Sequence, residues 1–130
     1  MITDHRNCIA VIDDNADIAN LFSQALNSRG INAIAFADPV VAIDYLINHH
    51  LEISLIILDW RMPRMNGLEL ARIVQQTDNE IKIMIMSAYD LDIDDLKKIE
   101  KKEYLRKPME VGKLIDAIKK ELIKPVIIRG

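Results

Sequence analysis

An apolar run that ends on an aspartate, Ile53-Ser54-Leu55-Ile56-Ile57-Leu58-Asp59, constrains the fold of this chain more than any other stretch. It has the length of a strand, is too short to span a membrane and is rich in β-branched Ile, so it reads as a strand buried on both faces. Strands of that kind belong to parallel sheets covered by helices. A carboxylate at the carboxyl end of a central strand stands in the crevice where open α/β sheets place their ligands. The continuation Trp60-Arg61-Met62-Pro63-Arg64-Met65-Asn66-Gly67 is turn chemistry. Pro63 cannot extend a ladder, and Asn66-Gly67 allows positive φ just before an amphipathic helix begins. Taken alone, Asp59 is more often a cap or turn residue than a reactive group.

The rest of the chain alternates two periodicities. Cys8-Ile9-Ala10-Val11-Ile12 is a short apolar run ending in Asp13-Asp14-Asn15, and Ile18, Leu21, Phe22, Ala25 and Leu26 then recur at helical spacing. Gly30 supplies a C-terminal stop. Ile31 to Phe36 is strand-like, and Asp38-Pro39 is an N-cap and first-turn pair opening a helix that carries Val40, Ile43, Tyr45, Leu46 and Ile47. After the anchor strand comes a helix with Leu68, Leu70, Ala71, Ile73 and Val74, then a strand, Lys82 to Met86, ending at Ser87-Ala88. The helical pattern from Leu91 to Glu100 is thin. A very short strand, Tyr104-Leu105-Arg106, leads to Lys107-Pro108, and the last helix sets Val111, Leu114, Ile115, Ile118 and Leu122 against Lys113, Lys119, Lys120 and Glu121. Strand–helix pairs joined by short connections predict an α/β fold, a doubly wound five-stranded parallel sheet with right-handed crossovers and helices on both faces.

Composition narrows the function classes. With 130 residues, half of them hydrophobic, the chain has the size of one domain, and no repeat, low-complexity tract or linker divides it. We expect a core over about residues 8–123, with 124–130 a tail or the start of a linker. A net charge of −3, from 20 acidic and 17 basic residues, gives no reason to expect nucleic-acid binding. The lone Cys8 sits inside an apolar run, so it reads as a small buried hydrophobe in a protein of the reducing cytosol. Met1 to Asn7 is polar, and no apolar run approaches the roughly 18 residues of a membrane helix, so neither a signal peptide nor a membrane span is expected.

What stands at the carboxyl ends of the strands carries the chemistry. Strand one ends in Asp13 and Asp14, strand three in Asp59, strand four in Ser87 and strand five in Lys107. A parallel sheet brings all of these ends to one edge. Three carboxylates that close together repel unless a cation joins them. An all-oxygen set without His or Cys favours Mg²⁺ over zinc, and Mg²⁺ typically completes its shell with waters and phosphate oxygens.

With these pieces in order, Asp13-Asp14, Asp59 to Gly67, Ser87-Ala88 and Tyr104-Leu105-Arg106-Lys107-Pro108, the chain resembles the CheY-like receiver domain of bacterial two-component response regulators from Cys8 to about Ile123. The resemblance implies a flavodoxin-like strand order 2-1-3-4-5. It implies that Asp59 is the phosphoacceptor, served by a sensor histidine kinase or phosphotransfer protein in the cytoplasm. Asp14, Asp59 and the backbone carbonyl of Arg61 would hold Mg²⁺ directly, and Asp13 through water. Lys107 and Ser87 would face the phosphoryl oxygens, and Tyr104 would turn inward with Ser87 as the aromatic switch. The region from Leu91 through the last helix would be read by partners, which allows a homodimer. Such a domain is a signalling module rather than an enzyme, and it meets neither nucleic acid nor membrane directly. Arg61 and Tyr89 would flank the path of attacking water, and Lys107-Pro108 would be joined by a cis bond. The chain departs from the family where Glu100-Lys101 replaces a Gly-Ala pair and where the interval from Ser87 to Lys107 is a couple of residues short.

Each of these residues also has a plainer role. Asp13 or Asp14 alone would be a helix N-cap, Ser87 a solvated strand end, Lys107 a snorkelling lysine and Tyr104 ordinary core. His49 and His50 take a dipole-favoured surface position at a helix end, and Lys97, Lys98, Lys101 and Lys102 a solvated face able to attract an acidic partner. A pseudo-receiver that binds partners without being phosphorylated is the second reading, but it normally lacks part of the pocket. An enzyme on the same sheet ranks third, because the first strand is followed neither by a Gly-rich phosphate loop nor by an alternating acid pair.

Overall fold

Residues 6–60, 62, 64–87, 94, 97–98, 102–106 and 111–123 are described by the computed structural model, with 102–106, 111 and 121–123 described as backbone alone. Among them are five parallel strands, β1 (Cys8–Ile12), β2 (Ala33–Phe36), β3 (Ile53–Asp59), β4 (Lys82–Ser87) and β5 (Lys102–Arg106), in the order β2-β1-β3-β4-β5. The helices are α1 (Ala16–Asn27), α2 (Pro39–His49), α3 (Gly67–Thr77) and α4 (Val111–Ile123). This is the flavodoxin-like order implied by the resemblance.

Alternation along the strands decides the two layers. Ala10, Ile12, Ile56, Leu58, Ile83 and Ile85 pack with Ala42 and Leu46 of α2 and with Leu70, Ala71 and Val74 of α3. Their neighbours Ile9, Val11, Leu55, Ile57, Met84 and Met86 pack on the other face with Ala19, Phe22 and Leu26 of α1 and with Leu114, Ile115 and Ile118 of α4. Burial on both faces is why these strands carry no polar alternation. One slip interrupts the period: Cys8 pairs with Ile53 but Ile9 with Leu55, so Ser54 is an extra residue, its Oγ donating to the Cys8 carbonyl at 3.2 Å.

Local signals place most helix ends as expected. Gly30 at φ 78° lets the Ile31 N–H reach back to the Leu26 carbonyl at 3.0 Å, closing α1. Asp38 accepts from the Val40 N–H at 2.9 Å with Pro39 in the first turn of α2. Asn66, read from the sequence only as a turn residue, caps α3 by accepting from the Glu69 N–H at 2.9 Å.

Five expectations are corrected. Asn15, not Asp13 or Asp14, caps α1, accepting from the N–H groups of Asp17 and Ile18. Gly67 is the first helical residue of α3, not a positive-φ turn, and the reason for glycine there is space: a Cβ would lie 2.7 Å from Trp60 Cε3 and 2.8 Å from the Trp60 Cα. Leu21, Val40 and Ile47 face solvent, because a helix resting on a sheet buries only one stripe. Strand β2 starts at Ala33, since Asn27 bonds both the N–H and the carbonyl of Ala33 and holds the preceding residues in a turn. His50 is no simple surface residue: its Nδ1 lies 2.8 Å from Asp78 Oδ2, which Arg6 also meets at 2.8 Å. The helix expected from Leu91 to Glu100 falls mostly outside the described residues.

Candidate acidic site at the carboxyl edge

The acids converge because of register. Ile12 of β1 pairs with Leu58 of β3, so the next residues in step are Asp13 and Asp59. The carboxylate oxygens of Asp13, Asp14 and Asp59 all lie within 4.8 Å of one another. Asp13 is buried, Asp59 half-buried and Asp14 exposed, so the cluster runs from the sheet interior out to solvent. Asp13 is held by its own turn, its Oδ1 accepting from the Asn15 N–H at 2.9 Å while its N–H donates to Phe36 of β2 at 3.1 Å. Because Asn15 caps the helix, neither aspartate is committed to that task.

Three like charges brought this close repel unless a cation joins them. The donor set suits a hard divalent ion. At about 2.0–2.1 Å from each ligand, octahedral Mg²⁺ spans oxygen separations of about 3 Å across an edge and about 4 Å across its centre. The cluster's oxygens, within 4.8 Å of one another, have separations of that order.

The loop after β3 is anchored to the core from both ends. Trp60 and Met62 are buried at 8% and 7% exposure, the Trp60 N–H donates to the Met86 carbonyl at 3.0 Å, and the Gly67 N–H donates to the Trp60 carbonyl at 2.7 Å. The close approach that requires glycine at 67 therefore also sets where the chain leaves Asp59.

Ser87 ends β4 on the same edge, 1% exposed, one residue past the Asp59–Met86 pair. Among the described residues, no buried side-chain nitrogen or oxygen lacks a hydrogen-bond partner. Ser87 pairs in register with Arg106 of β5, and Tyr104 with Ile85. Thus β5 brings the backbone of the expected switch residue alongside β4. Lys107, Arg61, Tyr89 and Pro108 lie outside the described residues. Sequence reasoning missed Asn15 as the cap, although Asn followed by Asp17 in a first turn is such a signal, and it missed an ion pair between Arg64 and Asp38. No sequence pattern marks a pair separated by 26 residues.

A doubly wound parallel sheet with an acid cluster at the carboxyl ends of β1 and β3 defines an α/β protein of the flavodoxin-like class. The family model described as the response regulator receiver domain matches residues 9–119. The chain belongs to that family. It is 29% identical over 116 residues to sporulation initiation phosphotransferase F of Bacillus subtilis (strain 168), covering 88% of this chain and 92% of that protein. It is 28% identical over 115 residues to the transcriptional regulatory protein CpxR of Escherichia coli (strain K12), covering 87% of this chain and 48% of that longer protein. Among solved structures, a response regulator receiver protein from Pseudomonas putida superposes with TM-score 0.77 at 31% identity, covering 88% of this chain and 97% of that one. Among the described residues, no helix is long and apolar enough to cross a membrane.

Proposed function

We propose that this chain is a phosphoacceptor: Asp59 receives a phosphoryl group from a phosphohistidine on a sensor kinase or phosphotransfer protein of a cytoplasmic two-component system. The observation that carries the reading is the meeting of Asp13, Asp14 and Asp59 within 4.8 Å from two strand ends. Family membership supports it. In the transfer an Asp59 carboxylate oxygen attacks phosphorus, the P–N bond to the donor imidazole breaks, and the imidazole leaves as its nitrogen gains a proton.

A loose, charge-spread transition state mainly needs positioning and cations. Mg²⁺, when bound, would supply one of these charges. Asp14, Asp59 and the Arg61 carbonyl would hold it, with Asp13 acting through water. Lys107 supplies the second cation, and Ser87 donates its hydroxyl to a phosphoryl oxygen. Phosphorylation then biases a pre-existing equilibrium in which Ser87 and Tyr104 move together, changing the surface that partners read. We read residues 1–130 as one such domain, with no direct role for nucleic acid or membrane.

Incubation with acetyl phosphate and Mg²⁺, followed by intact-mass measurement, tests the proposal. The parent should gain one phosphoryl group, and chelation of Mg²⁺ or the Asp59→Asn substitution should abolish the gain. Equal labelling of Asp59→Asn would overturn it.

A further inference from the structure

Arg64 and Asp38 meet at 2.6 Å, guanidinium Nη1 to carboxylate Oδ2. The two oxygens of Asp38 have separate tasks, because Oδ1 accepts from the Val40 N–H and caps α2. Arg64 is thus fastened to a side chain that the helix terminus already orients. Asp38 lies just past β2, which ends at Phe36, and Arg64 lies in the loop between Asp59 of β3 and Gly67 of α3. Strand β1 stands between β2 and β3. A bridge from the loop after β2 to the loop after β3 therefore spans the end of the strand that delivers Asp13 and Asp14.

We propose that the Arg64–Asp38 pair is a latch that positions the loop after β3 against the end of β1, so that the cation site stands assembled before the ion arrives. The inference rests on reading the three acids as a Mg²⁺ site. Arg64 is a positioning residue here, acting through Asp38 and the loop backbone. Trp60, Met62 and the Gly67 N–H hold the same loop to the core, so Arg64 fixes the part that leans toward solvent. An exposed ion pair contributes little to overall stability, and with side chains 63% and 35% exposed this one should show its effect in site geometry rather than in folding.

A latch and a through-space field differ in sign. Arg64 is a cation, and removing it would by charge alone tighten Mg²⁺ binding. Asp38 is an anion, and removing it would by charge alone weaken binding. Loss of a latch weakens binding in both cases. Arg64→Gln, Asp38→Asn and the double variant separate the two, since asparagine still caps a helix. Mg²⁺ is titrated at fixed ionic strength by the fluorescence of Trp60, the chain's single tryptophan, with urea unfolding in parallel.

We expect each single substitution to raise the apparent Kd about two- to fivefold, the range an exposed pair can supply. The double variant should be no weaker than the weaker single one. Opposite shifts in the two single variants, additive losses in the double variant, or unchanged affinity in all three would overturn the latch while leaving the cation site standing. A parent protein that binds no Mg²⁺ would overturn the cation site and the latch with it.

Discussion

Replacing Gly67 with alanine places a methyl group 2.7 Å from Trp60 Cε3, 2.8 Å from Leu58 Cδ1 and 2.8 Å from the Trp60 Cα. The last of these is backbone in the residue after Asp59, so a side-chain rotation cannot relieve it. Overpacking of this kind costs about 1–3 kcal/mol. Alanine's preference for helix returns up to about 1 kcal/mol, and less at a first-turn position. The net expectation is a loss of about 1–2 kcal/mol. With a urea m-value of about 1–3 kcal/mol/M for a protein of this size, the midpoint should fall by roughly 0.3 to 2 M. Gly112, early in α4, is the matched control, because a Cβ there meets nothing within 4 Å. Gly112→Ala should raise the stability by a few tenths of a kcal/mol, and the midpoint with it. Urea unfolding followed by circular dichroism reads both variants without relying on the Trp60 environment. A Gly67→Ala midpoint equal to or above that of the parent, at unchanged m, would refute the close-packing account of this loop.

Three further outcomes are expected. Asp14→Asn should lower Mg²⁺ affinity by more than about tenfold. In chelator the same variant should be at least as stable as the parent, because one of three like charges is gone; an apo variant less stable than the parent would count against crowding as the cost the cation relieves. Burial alone would raise the Asp78 carboxyl, but hydrogen bonds from His50 and Arg6, the Glu80 N–H and the Arg6 charge hold it below its ordinary value of 3.8. Its stabilisation is therefore fully present above about pH 4 and disappears as pH falls through the lowered folded value. Asp78→Asn should cost about 2 kcal/mol at neutral pH, and the gap to the parent should narrow below about pH 4 in urea titrations; a gap independent of pH would refute the assignment. Tyr89→Ala should speed loss of the acyl phosphate, on the expectation that the bulky ring shields Asp59 from water, and an unchanged or slower rate in a dephosphorylation time course would refute it.

Burial pushes the Cys8 thiol above its usual range, with the Glu52 charge adding to it. That agrees with the plain reading of this residue as a small hydrophobe.

What the chain's own order of residues settled was whatever depends on near neighbours and on periodicity. The apolar runs at 8–12, 53–58 and 82–86 read as strands covered on both sides, and all three stand in the sheet with alternate residues on opposite faces apart from the slip at Ser54. Once the strands are parallel, acids at their ends must share an edge, so the meeting of Asp13, Asp14 and Asp59 was legible before any coordinates. Cap signals at Asp38 and Gly30 were legible for the same reason, since each acts within a turn of helix. Tertiary structure alone decided the contacts between residues far apart in the chain. Which of three adjacent polar residues caps α1 depended on the turn that Asp13 makes while bonded to β2, and the cap went to Asn15. The glycine at 67 answers to the ring of Trp60, the Arg64–Asp38 bridge to the placing of β1 between β2 and β3, and the His50–Asp78–Arg6 cluster to the opposite edge of the sheet. Charge and shape complementarity across such distances leave no periodic trace, because they exist only after strand order and register have brought the partners together.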